Sequence, residues 1–365
     1  MAANENLRHE DFSRKMIDIL NYGAINLAMA IGYRTGLYEV LDSLDQAETL
    51  PQIAARAGLN SRYVREWMGI MVSAGIIQLT VDADGTERFL LPKAHADLIT
   101  KRAGSSNLGV YTQEIPLLTS CAMEQVIHGF YSGEGIDYHH YPRFQQFMSQ
   151  LADAKHERIL VEHFLPAVDG GRLVERLKSG IRVCDLGCAE GVALLLMAEA
   201  FPNSRFVGID FSEEVIWTAR REAERKKLSN AGFLHLDAAT LAGNGDFAEC
   251  FDYVTAFDSI HDQTQPLEAL RGVYHMLVPG GLFSMIDIAA GSSLVDNLNH
   301  PMGPFLYTVS LMHCMPVGLV GGGAGLGMMW GREQAVAMLR QASFEHIEVI
   351  EMTFDSFNLH FFCRK

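Results

Sequence analysis

Apolar positions along the chain change period once, near residue 170. From Asp11 to about Ile31 they recur at helical spacing, at Phe12, Met16, Ile19, Leu20, Ile25 and Leu27. This predicts one long helix, followed by a second from Tyr33 to Leu44. The run Ala28-Met29-Ala30-Ile31 makes several faces apolar, which marks a helix buried in a domain or in a subunit interface. The interface is the expectation. Thr49-Leu50-Pro51-Gln52 reads as a capping box with proline in the first turn, and its helix ends at Ala57-Gly58. Asn60 caps the next helix, Ser61 to Ala74, which stops at Gly75. Ile76 to Leu79 and Arg88 to Leu91 flank an Asp-Gly turn, a hairpin signal. Helix, turn, helix and hairpin predict a winged helix.

After Leu173 short apolar strands alternate with helices. The expected strands are Arg182 to Leu186, Arg205 to Asp210, Gly232 to Leu236, Phe251 to Phe257, Gly281 to Asp287, Glu345 to Glu351 and Asn358 to Arg364. Such alternation predicts a parallel sheet with helices on both faces. The last two strands lack a helical crossover, so the final strand should run antiparallel. Between the two patterns, Tyr111, Gln113, Tyr131 and Tyr138-His139-His140-Tyr141 either line a substrate pocket or pack the halves together. A helix follows from Pro142 to about Phe164. From Ala289 to Trp330 the pattern loosens, and Gly318 to Gly327 holds six glycines. This is either a mobile cover, helical in its middle, or a plain loop. The expected divisions are residues 1–103, a connecting and substrate-lining segment 104–170, and 171–365 with the cover at about 289–330.

Composition narrows the partners. A net charge of −15 over 365 residues disfavours nucleic acid and anionic membranes. The winged helix carries Arg62 and Arg65, yet also Trp67, Met68, Ile70, Met71 and Val72, which suit burial. Met1 to Lys15 is polar, without the form of a signal peptide. Six scattered cysteines make no disulfide framework, so a reducing cytoplasm is the expected compartment. Adjacent histidines such as His139-His140 seldom chelate together, and no metal is expected.

The candidate chemistry starts at Val183-Cys184-Asp185-Leu186-Gly187-Cys188-Ala189-Glu190-Gly191. Strand, glycine loop and helix are the form of a nucleotide pocket, with Gly187 permitting the turn and Gly191 the close helix start. The spacing is not that of a dinucleotide fingerprint or a P-loop. An ordinary tight turn after a buried strand is the plain alternative. Four acids, Asp185, Asp210, Asp237 and Asp287, stand at expected strand ends, where ligands of parallel sheets lie. They describe an acid-lined nucleoside pocket without a phosphate cradle.

The motif at Val183 to Gly191 resembles the first motif of class I S-adenosylmethionine-dependent methyltransferases. The resemblance implies a Rossmann-like seven-stranded α/β sheet with the last strand antiparallel, preceded by an α-helical winged-helix domain. It implies S-adenosyl-L-methionine as cofactor. Asp185 and Gly187 would hold its amino-acid end, Asp210 its ribose, Phe211 and Asp237 its adenine, and the Ala238 N–H a ring nitrogen. The stretch Phe257-Asp258-Ser259-Ile260-His261-Asp262 resembles plant-type small-molecule O-methyltransferases, in which a histidine followed by Asp is the general base, flanked by an acid at the end of the fifth strand. The matching residues are His261 and Asp287. Gly32 to Tyr38, Arg62 to Trp67 and Ile260 to Gln263 resemble a bacterial and animal group of winged-helix methyltransferases. Two departures stand out: Gln263 replaces a usual tryptophan, and Phe257 replaces a lysine that often contacts the cofactor. His261 could alternatively cap the next helix. The resemblance therefore implies methyl transfer to a small molecule by a homodimer joined through its N-terminal domain, and the apolar Met302, Phe305, Leu306, Leu311, Met312 and Met315 of the expected cover point to a largely apolar acceptor methylated at oxygen or sulfur. The alternatives are a regulator or a scaffold that binds the cofactor without turnover.

Overall fold

A computed structural model describes residues 9–365. The first eight residues of the polar stretch Met1 to Lys15 lie outside the described residues. The chain divides into two compact units between Leu117 and Leu118, so the connecting segment expected at 104–170 is shared by both.

In the first unit, helix His9–Thr35 runs through the position where a break was expected. The break comes at Gly36, whose φ of 72° opens the short helix Leu37–Asp42. A side chain at Gly32 would place its Cβ 2.4 Å from the Trp67 ring, so glycine there lets the two helices meet. Trp67 Nε1 donates to the Ala28 carbonyl at 2.8 Å, and Tyr38 packs edge-on to the same indole. Helix Leu50–Ala57 has the expected capping box, and Asn60 caps Ser61–Ser73 through the Arg62 N–H. Strands β1 (Gln78–Val81) and β2 (Glu87–Leu90) form the antiparallel wing. Arg62 pairs with Glu66, and Arg65 with Glu87 at 3.7 Å. The N-terminal half of the long helix is exposed all round: every residue from Glu10 to Ala24 is exposed, and Phe12, Ile17, Leu20 and Tyr22 are all more than half exposed.

The second unit is built on seven strands: β3 (Arg182–Leu186), β4 (Arg205–Asp210), β5 (Ala231–His235), β6 (Phe251–Phe257), β7 (Leu277–Ile288), β8 (His346–Met352) and β9 (Asp355–Arg364). Their order is β5-β4-β3-β6-β7-β9-β8. Only β9 runs against its neighbours, as the missing crossover predicts. Alternate residues of one strand enter different apolar layers. Val183 and Tyr253 pack with Leu173, Leu194 and Phe206, whereas Cys184 and Val254 pack with Leu270, Phe283 and Phe361. Both faces are therefore covered, which explains strands that read as near-continuous apolar runs. β5 ends a residue earlier than expected because Asp237 caps the following turn. β7 starts earlier, since Leu277 pairs with Phe251 before the ladder shifts to Tyr253 and Leu282.

The expected cover contains helix Gly303–Val309, a wide turn Ser310–Cys314 and helix Met315–Gly318. Its glycines are tied down rather than loose. Ala324 N–H donates to Thr264 O at 2.9 Å, and Gly325 N–H to Gly318 O at 3.0 Å. Gly135 lies so close that a Cβ would stand 2.3 Å from the Val320 nitrogen. Ile136 N–H donates to Pro316 O, which fixes the segment before Tyr138 against the cover. No helix of the described residues is long and apolar enough to cross a membrane.

Candidate functional site

The loop after β3 folds back on β4. The N–H groups of Gly187 and Cys188 donate to Ile209 O at 2.8 and 3.1 Å. Gly187 has φ 71°, and a Cβ there would meet Ser259 at 2.5 Å. At Gly191, φ 78°, a Cβ would meet the Phe233 ring at 2.4 Å. Backbone conformation and crowding both require glycine at the two positions. Asp210, at the end of β4, accepts from Ala189 N–H at 3.0 Å through one oxygen and from Ser212 N–H at 2.9 Å through the other. Asp185 is buried within β3 and accepts from the Thr255 hydroxyl at 2.7 Å.

The structure thus gathers Asp185, Gly187, Gly191 and Asp210 around one turn. Phe211 follows Asp210, half exposed, with its ring 5.5 Å from that of Tyr138. Asp237 is exposed and accepts from Ala239 N–H at 2.9 Å, while Ala238 is buried. Phe257 turns the other way, into the apolar layer, against His156 and Phe164. It borders a small void of ≈ 20 Å³ with Lys155 and Met352. A larger open depression, ≈ 400 Å³, lies beside β5 at Arg220, Lys227 and Phe233, away from these acids.

The second cluster forms where β6 and β7 end. His261 is 3% exposed, and its Nδ1–H donates to Asp287 Oδ1 at 2.8 Å. The same oxygen accepts from Ile288 N–H, leaving Asp287 Oδ2 buried without a hydrogen bond. His261 Nε2 stands 3.4 Å from Asp262 Oδ1. Tyr138 donates its hydroxyl to Asp262 Oδ2 at 3.2 Å and packs edge-on to His313, so it links this cluster to Phe211. Tyr141 donates to Met312 O and also packs on His313. Cys314 completes the cluster, with its sulfur 3.6 Å from His313 Nδ1. The cover residues His313 and Cys314 were not singled out in the sequence, where the cover lacks a regular period. Asp287 was, as one of four acids at expected strand ends, and His261 was, through the resemblance of its stretch to plant-type O-methyltransferases. His139 and His140 stack on each other at 4.1 Å, and His139 bonds Asp137.

Charge is unbalanced at both clusters. Burial pushes the Asp185 carboxyl up to about 7, with the nearby Asp210 adding to the rise. Asp210 is raised too, chiefly by burial, although N–H groups of Ser212 and Ala189 oppose it. Among the described residues neither acid has an ion-pair partner, so a cationic guest would relieve both. That donor set fits a positively charged, phosphate-free nucleoside such as S-adenosylmethionine. For His261, burial alone would lower the pKa. The Asp287 and Asp262 carboxylates outweigh it and hold the ring well above the ordinary histidine range.

Comparison with known proteins bears on the domains and the fold. Residues 177–304 match a family described as "Methyltransferase domain", and residues 23–101 match "Rv2258c-like winged HTH domain". A demethylmenaquinone methyltransferase of Listeria welshimeri is 30% identical over 113 residues, 31% of this chain and 47% of that protein. The chain thus spans about half the length of that curated relative. Over nearly the whole chain the fold is similar to a Nostoc punctiforme protein described as a putative O-methyltransferase, with TM-score 0.69, 16% identity, and 96% and 98% of the two chains covered. It is also similar to human N-acetylserotonin methyltransferase in complex with SAM, with TM-score 0.64, 15% identity, and 100% and 99% covered. Two separate stretches of the chain thus match a methyltransferase domain and an Rv2258c-like winged HTH domain, and the fold over nearly the whole chain is shared with these methyltransferase structures.

Proposed function

We propose that this protein transfers a methyl group from S-adenosylmethionine to oxygen or sulfur of a small, largely apolar acceptor. The observation that carries the reading is the buried His261–Asp287 pair beside a cation-seeking pair of carboxylates. The cofactor, when bound, supplies a methyl carbon on a positively charged sulfur. Asp185 and Gly187 would hold its amino-acid end, Asp210 its ribose, Phe211 and Asp237 its adenine, with the Ala238 N–H and the turn at Gly191 shaping the same berth. Phe257 would border it only through its backbone, because its ring faces the apolar layer. Methyl transfer is chiefly alignment, and the tied cover holding Met302, Phe305 and Leu306 would press an apolar acceptor into line.

His261 would take the proton of a phenol or thiol at Nε2, while Asp287 fixes the ring through Nδ1 and stabilises the imidazolium. In the ligand-free protein the acids keep His261 charged. A sulfonium placed nearby disfavours that charge, so cofactor binding would free the base. The test is a screen of phenols, carboxylates and thiols for release of S-adenosylhomocysteine, run on wild type and His261→Ala. We expect at least a 100-fold loss with a phenol and a much smaller one with a thiol, whose pKa of about 8.5 needs less help. Comparable losses on both would refute that distinction, and an undiminished phenol reaction would refute the base role. We also propose a homodimer formed through the exposed N-terminal half of His9–Thr35, where Phe12, Leu20 and Tyr22 lie in water.

A further inference from the structure

The groups around His261 Nε2 have a second capacity. His261 Nε2, an Asp262 carboxylate oxygen and the Cys314 sulfur all lie within 4.8 Å of one another. They come from two separate stretches, the turn after β6 and the cover. Each presents a ligand atom to the others, although the Cys314 sulfur also contacts His313 Nδ1 at 3.6 Å. The His261 ring is fixed by Asp287 through Nδ1, the carboxylate–histidine arrangement that leaves Nε2 to face a metal. Asp262 spends Oδ2 on Tyr138, while its buried Oδ1 makes no hydrogen bond and lies 3.4 Å from Nε2. Cys314 is 5% exposed, free of any disulfide.

Ligands at 2.0–2.3 Å from a tetrahedral ion stand about 3.3–3.8 Å apart, so the His261–Asp262 pair is already at the required separation. The widest pair needs to close by about 1 Å, within reach of a cysteine rotamer change. Nitrogen, carboxylate and sulfur together select a zinc-class cation over magnesium or calcium, which prefer all-oxygen shells.

We propose that His261, Asp262 and Cys314 form a site for a thiophilic divalent cation of the zinc class, with an open fourth position. The inference rests on the methyl-transfer reading only for its consequence: a cation here takes the Nε2 lone pair that base catalysis requires. Binding displaces the protons held by Nε2 and by the Cys314 thiol into solvent and forms three metal–ligand bonds, with no change of oxidation state. Metal and base function then exclude each other, and occupancy silences the methylation of a phenol.

Cobalt(II) is the probe, because thiolate ligation gives it an intense charge-transfer absorption. The full chain is titrated with Co²⁺, and S-adenosylhomocysteine binding is measured by calorimetry on the same preparation. The expected result is saturation at one Co²⁺ per chain with a charge-transfer band. That band disappears in Cys314→Ser, persists in Cys250→Ser, and needs at least 10-fold more Co²⁺ in Asp262→Asn. Absence of the band in wild type, or its persistence in a folded Cys314→Ser, overturns the site. If Cys314→Ser does not fold, an unchanged Co²⁺ midpoint in Asp262→Asn overturns it equally. S-adenosylhomocysteine binding without the cobalt band defeats the metal site alone, whereas the band without S-adenosylhomocysteine binding supports the site and defeats the cofactor reading alone.

Discussion

His261 sits between two carboxylates, and its chemistry follows from which one is present. Replacing Asp262 with Asn removes a negative charge that favours the protonated ring, so the pKa of His261 falls. With a phenol acceptor at saturating cofactor, kcat/KM rises with pH as the ring loses its proton. The acid limb of that profile is expected to lie at lower pH in Asp262→Asn than in wild type, and an unmoved limb would exclude His261 as the titrating group. Asp185 offers the opposite sign. Its folded pKa is about 7, above the unfolded value near 3.9. The folded state therefore holds the extra proton between those values, and stability declines as pH rises through that window. Asp185→Asn removes the burden of a buried charge. Thermal melts of the cofactor-free protein are expected to show a gain of roughly 1–3 kcal/mol at pH 8 that vanishes near pH 4, with weaker S-adenosylmethionine binding by calorimetry. A loss of stability at pH 8 would contradict the burial argument.

At the scale of elements, legibility tracked periodicity. The strands and their acid-bearing ends were readable because a parallel sheet sets its strand ends side by side, whereas the meeting of His261 with Asp287, 26 residues apart, was expected only from the family resemblance. The cover offered no period. Cys314 and His313 reach the site through a wide helical turn at Ser310–Cys314 that no residue pattern announces. Tyr138 was visible only as one aromatic among several, and its bond to Asp262 depends on a partner 124 residues away. The break after the first helix was misplaced for a related reason. Gly32 reads as punctuation, yet its job is to admit the Trp67 indole, and the left-handed turn belongs to Gly36. Gly32→Ala should therefore destabilise the first unit by about 1–3 kcal/mol through overpacking, measured by chemical denaturation. Gly191→Ala adds positive-φ strain to a clash with Phe233 and should cost more, with cofactor affinity falling alongside. A neutral outcome at Gly191 would mean the loop has another conformation.

For the whole molecule, the exposed N-terminal half of His9–Thr35 is the feature that calls for a partner. Phe12, Ile17, Leu20 and Tyr22 leave large apolar side chains in water there, as association sites do. A Leu20→Glu substitution is expected to convert a dimer to a monomer by light scattering while leaving the second unit's melting unchanged. A wild-type monomer at micromolar concentration would remove the proposal. The charge of −15 lies on the chain without a cationic stripe on the second helix of the winged unit, since Arg62 and Arg65 both face glutamates.

Strand β9 is synthesised after β8 yet is inserted between β8 and β7. Until residues 355–364 have left the ribosome, β7 offers an open ladder and β8 has no neighbour at all. The nascent protein thus carries two sticky margins through the last part of its translation, the circumstance in which holding chaperones matter most. A translation stall before Asp355 would leave a chain with every residue of its candidate site but an unfinished sheet, ready to pair with its own copies.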